Sequence, residues 1–101
     1  MSDLSALFSR LRQKGEAALI PFVTAGDPHL DQLPAILATL AAGGADAIEV
    51  GIPFSDPIAD GPTIQAASQR ALDRGVTPGA VLEMLHQGPR PGVPLILIGS
   101  Y

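Results

Sequence analysis

A glutamate inside a short apolar run, with two aspartates in the loop behind it, has the residue types and spacing that acid–base chemistry requires. Glu49 lies in AIEVG, and Asp56 and Asp60 lie in the following IPFSDPIADGP. Burying an ionised carboxylate is costly unless the group is paired, so burial favours the protonated form and lets the group both give and take a proton. The pattern predicts a general acid–base centre at Glu49.

Other roles for these three carboxylates stay open. Glu49 could be bonded to a partner at the end of the sheet. Asp56-Pro57 and Asp60-Gly61 are common turn dipeptides, because a short acidic side chain bonds its own backbone and glycine accepts a positive φ. The Asp60 carboxylate could instead accept a hydrogen bond from an N–H group of a ligand. Alternatively, all three acids together could bind Mg²⁺. Spacing alone does not separate these roles.

Composition excludes several classes of function. Hydrophobic residues make up 47% of the 101 residues, which favours a folded chain over a disordered one. The six basic residues are scattered along a chain with a net charge of −4, so nucleic acid is not an expected partner. No apolar stretch is long enough to cross a membrane and the first residues lack a secretory pattern, so a cytoplasmic protein is expected. The absence of cysteine and the isolated His29 and His86 exclude a structural zinc site.

Three short apolar runs alternate with helical segments and must position the carboxylates. The runs cover 17–24, 47–51 and 94–99, and this order predicts an α/β fold with a parallel sheet and right-handed crossovers. Leu4, Leu7, Phe8 and Leu11 predict a first helix that ends at Gly15.

Proline marks the expected starts of later helices. Asp27-Pro28 and Thr77-Pro78 each supply a capping residue and a first-turn proline, and 63–72 also has helical character. Along the middle strand, alternation places Glu49 on the face opposite Ile48 and Val50. Its neighbours on that face, at 47 and 51, are alanine and glycine, which leaves room for another molecule.

Two stretches resemble the tryptophan synthase alpha chain family. EVGIPFSDPIADGPTIQ at 49–65 is similar to that family's signature, and IPFVTAGDP at 20–28 is similar to its first strand and exit loop. The resemblance implies a (β/α)8 TIM barrel, a fold that needs about 250 residues. We therefore expect residues 1–101 to be a single amino-terminal segment of such a barrel, with its first three parallel strands, their helices and an N-terminal helix.

The resemblance also implies an activity and roles for particular residues. The family is a lyase of tryptophan biosynthesis that splits indole-3-glycerol phosphate into indole and glyceraldehyde 3-phosphate without a cofactor of its own. Glu49 would be the acid–base residue, and Asp60 would bond the indole N–H. Phe22 and, more weakly, Ile98 would contact the indole ring. Ser100 departs from the tyrosine that often stands there, which puts a substrate contact at that position in doubt.

Partners follow from the resemblance as well. The 53–62 loop is similar to the segment through which the alpha chain touches a beta chain that carries pyridoxal phosphate, in a heterotetramer, and Asp56 and Pro57 are the expected interface residues. TIM barrels bind substrate phosphate after strands seven and eight, so a three-strand chain is expected to be inactive alone. Its unpaired apolar strand edges are expected to self-associate.

Two other classes of function remain as alternatives. One is a non-catalytic α/β module that binds a partner protein through the 53–62 loop. The other is a metal-dependent barrel enzyme that uses the loop aspartates, Asp56 and Asp60. Replacing Glu49 in a full-length protein would separate the lyase from the binding module, and a chelator would reveal the metal enzyme.

Overall fold

Three parallel strands and four α-helices make up the part of the chain that a computed structural model describes, residues 3–53 and 61–99. The parallel sheet and the alternation of helices and strands confirm the predicted α/β fold. In chain order the elements are α1 Asp3–Lys14, β1 Phe22–Thr24, α2 Leu33–Ala42, β2 Ile48–Gly51, α3 Pro62–Asp73, α4 Pro78–Gln87 and β3 Leu95–Ile98.

The sheet has β2 at its centre, in the order β1-β2-β3. Glu49 pairs with Phe22 on one side and with Ile96 on the other, and Gly51 pairs with Ile98. Paired residues of parallel strands project to the same side of the sheet, so all five side-chain positions share one face. Glu49 and the two apolar residues that the family resemblance suggested, Phe22 and Ile98, therefore lie on a common surface.

The first strand is shorter than the apolar run that predicts it. The Asp46 carboxylate accepts a hydrogen bond from the Leu19 backbone N–H at 2.7 Å, and the Asp46 N–H donates to the Leu19 carbonyl at 2.8 Å. The Asp46 side chain thus takes the place of a backbone group in the hydrogen bonding between β1 and β2 before Phe22. Regular pairing begins only after this contact.

Apolar side chains from β2 and the helices form the larger core. Ile48 and Val50 are fully buried, and they belong to one cluster with Leu33 and Leu37 of α2 and Val81 of α4. Burying side chains of this size stabilises the fold by about 1.5–3 kcal/mol each. The helices α2 and α4 therefore cover one face of β2 and leave the Glu49 face to other elements.

The helix α1 packs on the opposite face of the sheet. Its Leu7 and Leu11 are 3% and 5% exposed and form a second cluster with the buried Ala47. Gly15 follows the helix with a φ of +69°, the conformation that glycine adopts at little cost, as predicted. Phe8, which belongs to the apolar pattern that predicts this helix, is 41% exposed because the contacts with the sheet come from Leu7 and Leu11.

The start of the second helix differs from the prediction. A 3-10 turn at Leu30–Gln32 precedes α2, and Pro34 takes the place in the first turn that was expected of Pro28. Asp27 does not cap a helix, because its carboxylate is bound to Arg70. At the start of α4 the prediction is confirmed, since the Thr77 hydroxyl accepts a hydrogen bond from the Ala80 N–H at 3.2 Å.

Candidate active site at the carboxyl end of the sheet

Glu49 lies on the central strand and faces away from the core formed by α2 and α4. Its side chain is half-buried. Among residues 3–53 and 61–99, no hydrogen bond or ion pair reaches its carboxylate. Within that part of the chain, no residue is therefore the partner at the end of the sheet that the sequence left open for Glu49.

The surroundings of Glu49 open toward the carboxyl ends of the strands. Ala47, two residues earlier on the same face, is fully buried beneath α1. Ile96, beside Glu49, is half-buried, and Ile98, one step further, is 38% exposed. Glu49 is therefore less buried than the sequence suggested, because α1 seals only the amino-terminal end of this face.

The Phe22 ring lies against Gly51. A Cβ atom built on Gly51 would stand 2.5 Å from Phe22 Cζ and 3.1 Å from Cε2, much closer than carbon atoms normally approach. The sequence suggested that the small residue at 51 leaves room for another molecule, but the aromatic ring takes that room. A glycine at the end of a strand is a known sign of such a close approach.

Phe22 and Ile98 therefore flank the end of β2 on the Glu49 face. Phe22 is half-buried and Ile98 is 38% exposed, so both present apolar surface beside the carboxylate. An aromatic ring and an aliphatic side chain at this place are suited to a flat apolar ligand. Their roles in substrate binding stay predictions.

Several predicted site residues fall outside the described residues. These are Asp56, Pro57, Asp60 and Ser100. Among residues 3–53 and 61–99, no group of three histidine, aspartate or glutamate side chains could hold a metal ion. The Mg²⁺ alternative needs Asp56 and Asp60, so it lies outside the described residues as well. In the same described part, no helix is long and apolar enough to span a membrane.

An ion pair that the sequence did not suggest joins the loop after β1 to α3. Arg70 Nε and Nη2 each donate to an Asp27 carboxylate oxygen at 2.9 Å, and Arg74 Nη1 lies 3.7 Å from Asp27 Oδ1. The hydrogen bond from Arg70 holds the pKa of Asp27 below its usual range. The spacing of Arg70 and Arg74, four residues apart on one helix, could have indicated a shared anionic partner.

The parallel sheet has helices on one face and an N-terminal helix under the other, and an acid lies beside the carboxyl ends of the strands. This is the arrangement of part of a (β/α)8 barrel. The sequence model of the family described as "Tryptophan synthase alpha chain" matches residues 8–101. Curated proteins of that name are 53% identical over 102 residues in Cyanothece sp. and 54% identical over 101 residues in Acidithiobacillus ferrooxidans, covering 100% and 98% of this chain. The chain belongs to the tryptophan synthase alpha chain family.

Solved structures of the family have the same fold over this length. The alpha subunit of tryptophan synthase from Legionella pneumophila is 37% identical with a TM-score of 0.89, over 96% of this chain and 38% of that one. Tryptophan synthase from M. tuberculosis in its aminoacrylate-bound form is 35% identical with a TM-score of 0.86, over 96% of this chain and 40% of that one. The chain also spans only 38% and 37% of the two curated relatives.

Proposed function

We propose that this chain supplies the acid–base residue of a lyase that cleaves indole-3-glycerol phosphate into indole and glyceraldehyde 3-phosphate. The observation that carries the proposal is the place of Glu49 in a member of this family. It is central in the sheet, on the face free of the α2 and α4 core, and without a cationic partner among the described residues. A structural carboxylate at such a place would be expected to have a partner.

Cleavage of this substrate is a reversed aldol addition and needs two proton movements. One proton must reach the indole carbon that leaves, and the hydroxyl beside the breaking bond must lose one as the aldehyde forms. In this proposal Glu49 gives a proton to the indole carbon, and the carboxylate so formed takes the proton that the hydroxyl loses. Phe22 and Ile98 hold the ring. Asp60 would accept the indole N–H and stabilise the positive charge that develops in the ring.

The proposal includes no cofactor bound by this chain. Proton transfer and charge stabilisation by carboxylates are sufficient for the cleavage. Pyridoxal phosphate would belong to a beta chain, with which the 53–62 loop, including Asp56 and Pro57, would form an interface in a cytoplasmic heterotetramer. The relative from M. tuberculosis is named as tryptophan synthase in an aminoacrylate-bound form, which supports a partner with its own chemistry.

The three strands do not by themselves provide a site for the substrate phosphate. TIM barrels usually bind phosphate with the loops after strands seven and eight. The 101-residue chain alone is therefore expected to release no indole above background. We propose that residues 1–101 work as one segment of a complete barrel.

A chimera tests the proposed activity. In this barrel chimera, residues 1–101 replace the matching 102-residue segment of the Cyanothece sp. alpha chain. The expected result is steady-state indole release by the chimera and a loss of about 10²–10⁴-fold on Glu49→Gln, the usual contribution of a general acid or base. Glu16→Gln, in an exposed residue after α1, is the matched control and should leave the rate unchanged.

The same pair of variants separates the lyase from a binding module. If the chain is a lyase segment, Glu49→Gln removes indole release but leaves binding of the beta chain intact, because Glu49 does not lie in the 53–62 loop. If the chimera binds the beta chain but Glu49→Gln releases indole at the unmodified rate, the lyase role of Glu49 is wrong. A chimera that folds and releases no indole would contradict the proposal directly.

A further inference from the structure

The backbone at Gly51, the last residue of β2, does not itself require glycine. Gly51 pairs in regular register with Thr24 of β1 and with Ile98 of β3, and its carbonyl accepts a hydrogen bond from the Ala25 N–H at 2.9 Å. Its φ lies outside the left-handed region that favours glycine, unlike that of Gly15. Alanine would therefore fit the backbone here, and only the space beside the residue distinguishes the two.

The Phe22 ring fills the space of the missing side chain. Phe22 pairs with Glu49, two residues before Gly51, yet its ring atoms Cζ, Cε2 and Cε1 are the three nearest to a Cβ built on the glycine. The ring therefore crosses from the level of Glu49 to that of Gly51, a step of about 6.6 Å along a parallel strand. Gly51 is buried although Ile98, at the same level of the sheet, is 38% exposed, which fits a ring that lies over the glycine.

The position of the ring decides the shape of the site beside Glu49. Ala47, the other small residue of β2 on this face, is covered by α1, so the helix and the ring lie on opposite sides of Glu49 along the strand. A ligand that reaches Glu49 from the carboxyl end must pass Phe22 and Ile98, which stand on the two strands beside β2. A gap of about 0.5–1 Å between the ring and a ligand would forfeit about a quarter to a half of their attraction.

We propose that Gly51 is a positioning residue, whose lack of a side chain lets the Phe22 ring lie over the end of β2 and present its surface to a flat aromatic ligand beside Glu49. Gly51 itself makes no contact with the ligand in this proposal. That the ligand is indole, or the indole part of the substrate, rests on the proposed lyase function. Replacement of Gly51 by alanine would move the tip of the ring by about 1–1.5 Å and so weaken binding of the aromatic group.

Equilibrium dialysis of indole with the barrel chimera tests this role without reference to turnover. Gly51→Ala should raise the dissociation constant of indole by about fivefold and Phe22→Leu by about tenfold, because each removes part of the contact between the ring and the ligand. In the Phe22→Leu background, Gly51→Ala should change the constant by less than about twofold, because the ring through which it acts is gone. The matched control is Gly79→Ala in α4, where an added Cβ meets nothing within 4 Å, and it should leave binding unchanged.

The combined variant separates the positioning role from other effects of the added methyl group. If Gly51→Ala weakens indole binding equally with and without the Phe22 ring, the methyl group acts directly on the ligand or on the fold, and the proposal is overturned. It is overturned as well if Gly51→Ala leaves the dissociation constant unchanged, or if the chimera binds no indole. If Gly51→Ala alone does not fold, the combined variant should fold and bind indole as Phe22→Leu does, and a combined variant that unfolds overturns the proposal.

Kinetics of the same variants connect the role to the proposed reaction. Gly51→Ala should raise KM for indole-3-glycerol phosphate by about fivefold and change kcat by less than about twofold, because the ring holds the indole group equally in the ground state and the transition state. If Glu49→Gln removes the activity of the chimera but Gly51→Ala does not change KM, the positioning role fails and the lyase function stands. If the chimera shows the coupled binding of indole but releases none from the substrate, the lyase function fails and the positioning role stands.

Discussion

The contact between Phe22 and Gly51 predicts a specific coupling between the two residues. Replacing Gly51 by alanine adds one carbon atom at 2.5 Å from Phe22 Cζ. Carbon atoms in contact normally lie 3.5–4.0 Å apart, so the tip of the ring must move by about 1–1.5 Å. The ring is half-buried and belongs to neither apolar cluster, so it can shift without moving the core.

The cost of Gly51→Ala should accordingly fall in the lower part of the range for overpacking, about 1–2 kcal/mol of unfolding free energy. Phe22→Leu shortens the side chain and removes the atom that clashes. When both changes are made, the cost should be smaller than the sum of the two single costs by about 1 kcal/mol.

Urea unfolding of the barrel chimera and its three variants measures this coupling. The matched control is Gly79→Ala in α4, where an added Cβ meets nothing within 4 Å and should stabilise the helix by up to about 1 kcal/mol. If the costs of Gly51→Ala and Phe22→Leu add within about 0.3 kcal/mol, the ring does not occupy the space above Gly51 and the described site is wrong.

Three further predictions concern the core, the ion pair and the sheet edge. Leu11→Ala should destabilise the chimera by about 2–4 kcal/mol in urea unfolding, because Leu11 is buried against the sheet. Phe8→Ala, on the exposed side of α1, should cost less than about 1 kcal/mol of unfolding free energy, and equal costs of the two substitutions would refute the packing of α1. Because the pKa of Asp27 is lowered by Arg70, the pair stabilises the fold above the unfolded-state pKa of about 3.9 and loses this effect as the pH falls through the folded-state value. Asp27→Asn should thus lower Tm at pH 7 but not at about pH 2, and a difference that persists in acid would contradict this. The 101-residue chain should self-associate at micromolar concentration in sedimentation, and Leu97→Lys on the 44% exposed edge should reduce association; a monomeric parent chain would count against it.

Sequence patterns were sufficient to predict the three strands and the direction of Glu49 within its own strand. Apolar runs and glycine or proline boundaries located the strands, and alternation placed Glu49 opposite Ile48 and Val50. These predictions depend only on the local period of the chain. The family resemblance suggested Phe22 and Ile98, and the register of the strands places both on the Glu49 face.

Contacts between residues distant in the sequence could not be predicted in the same way. Asp27 and Arg70 are 43 residues apart, and nothing near Asp27-Pro28 shows that its carboxylate pairs with another helix instead of capping its own. The Asp46 contact that shortens the first strand spans 27 residues. In both cases a side chain competes with a local backbone role, and tertiary structure decides the outcome.

The exposure of Glu49 also depends on more than local pattern. Alternation gives the direction of a side chain but not what covers it. Here α1 covers the Glu49 face of the sheet at Ala47, and the exposed fraction of the side chains on that face increases toward Ile98.

A single-turnover measurement tests most directly the proposal that the Glu49 carboxylate moves the proton during cleavage. With the barrel chimera in excess over indole-3-glycerol phosphate, the rate of indole formation reports the chemical step apart from product release. If Glu49 moves the proton, Glu49→Gln lowers this rate by about 10²–10⁴-fold while the dissociation constant of the substrate stays within about threefold. A rate within about tenfold of the unmodified chimera, or a loss explained entirely by weaker binding, would contradict it.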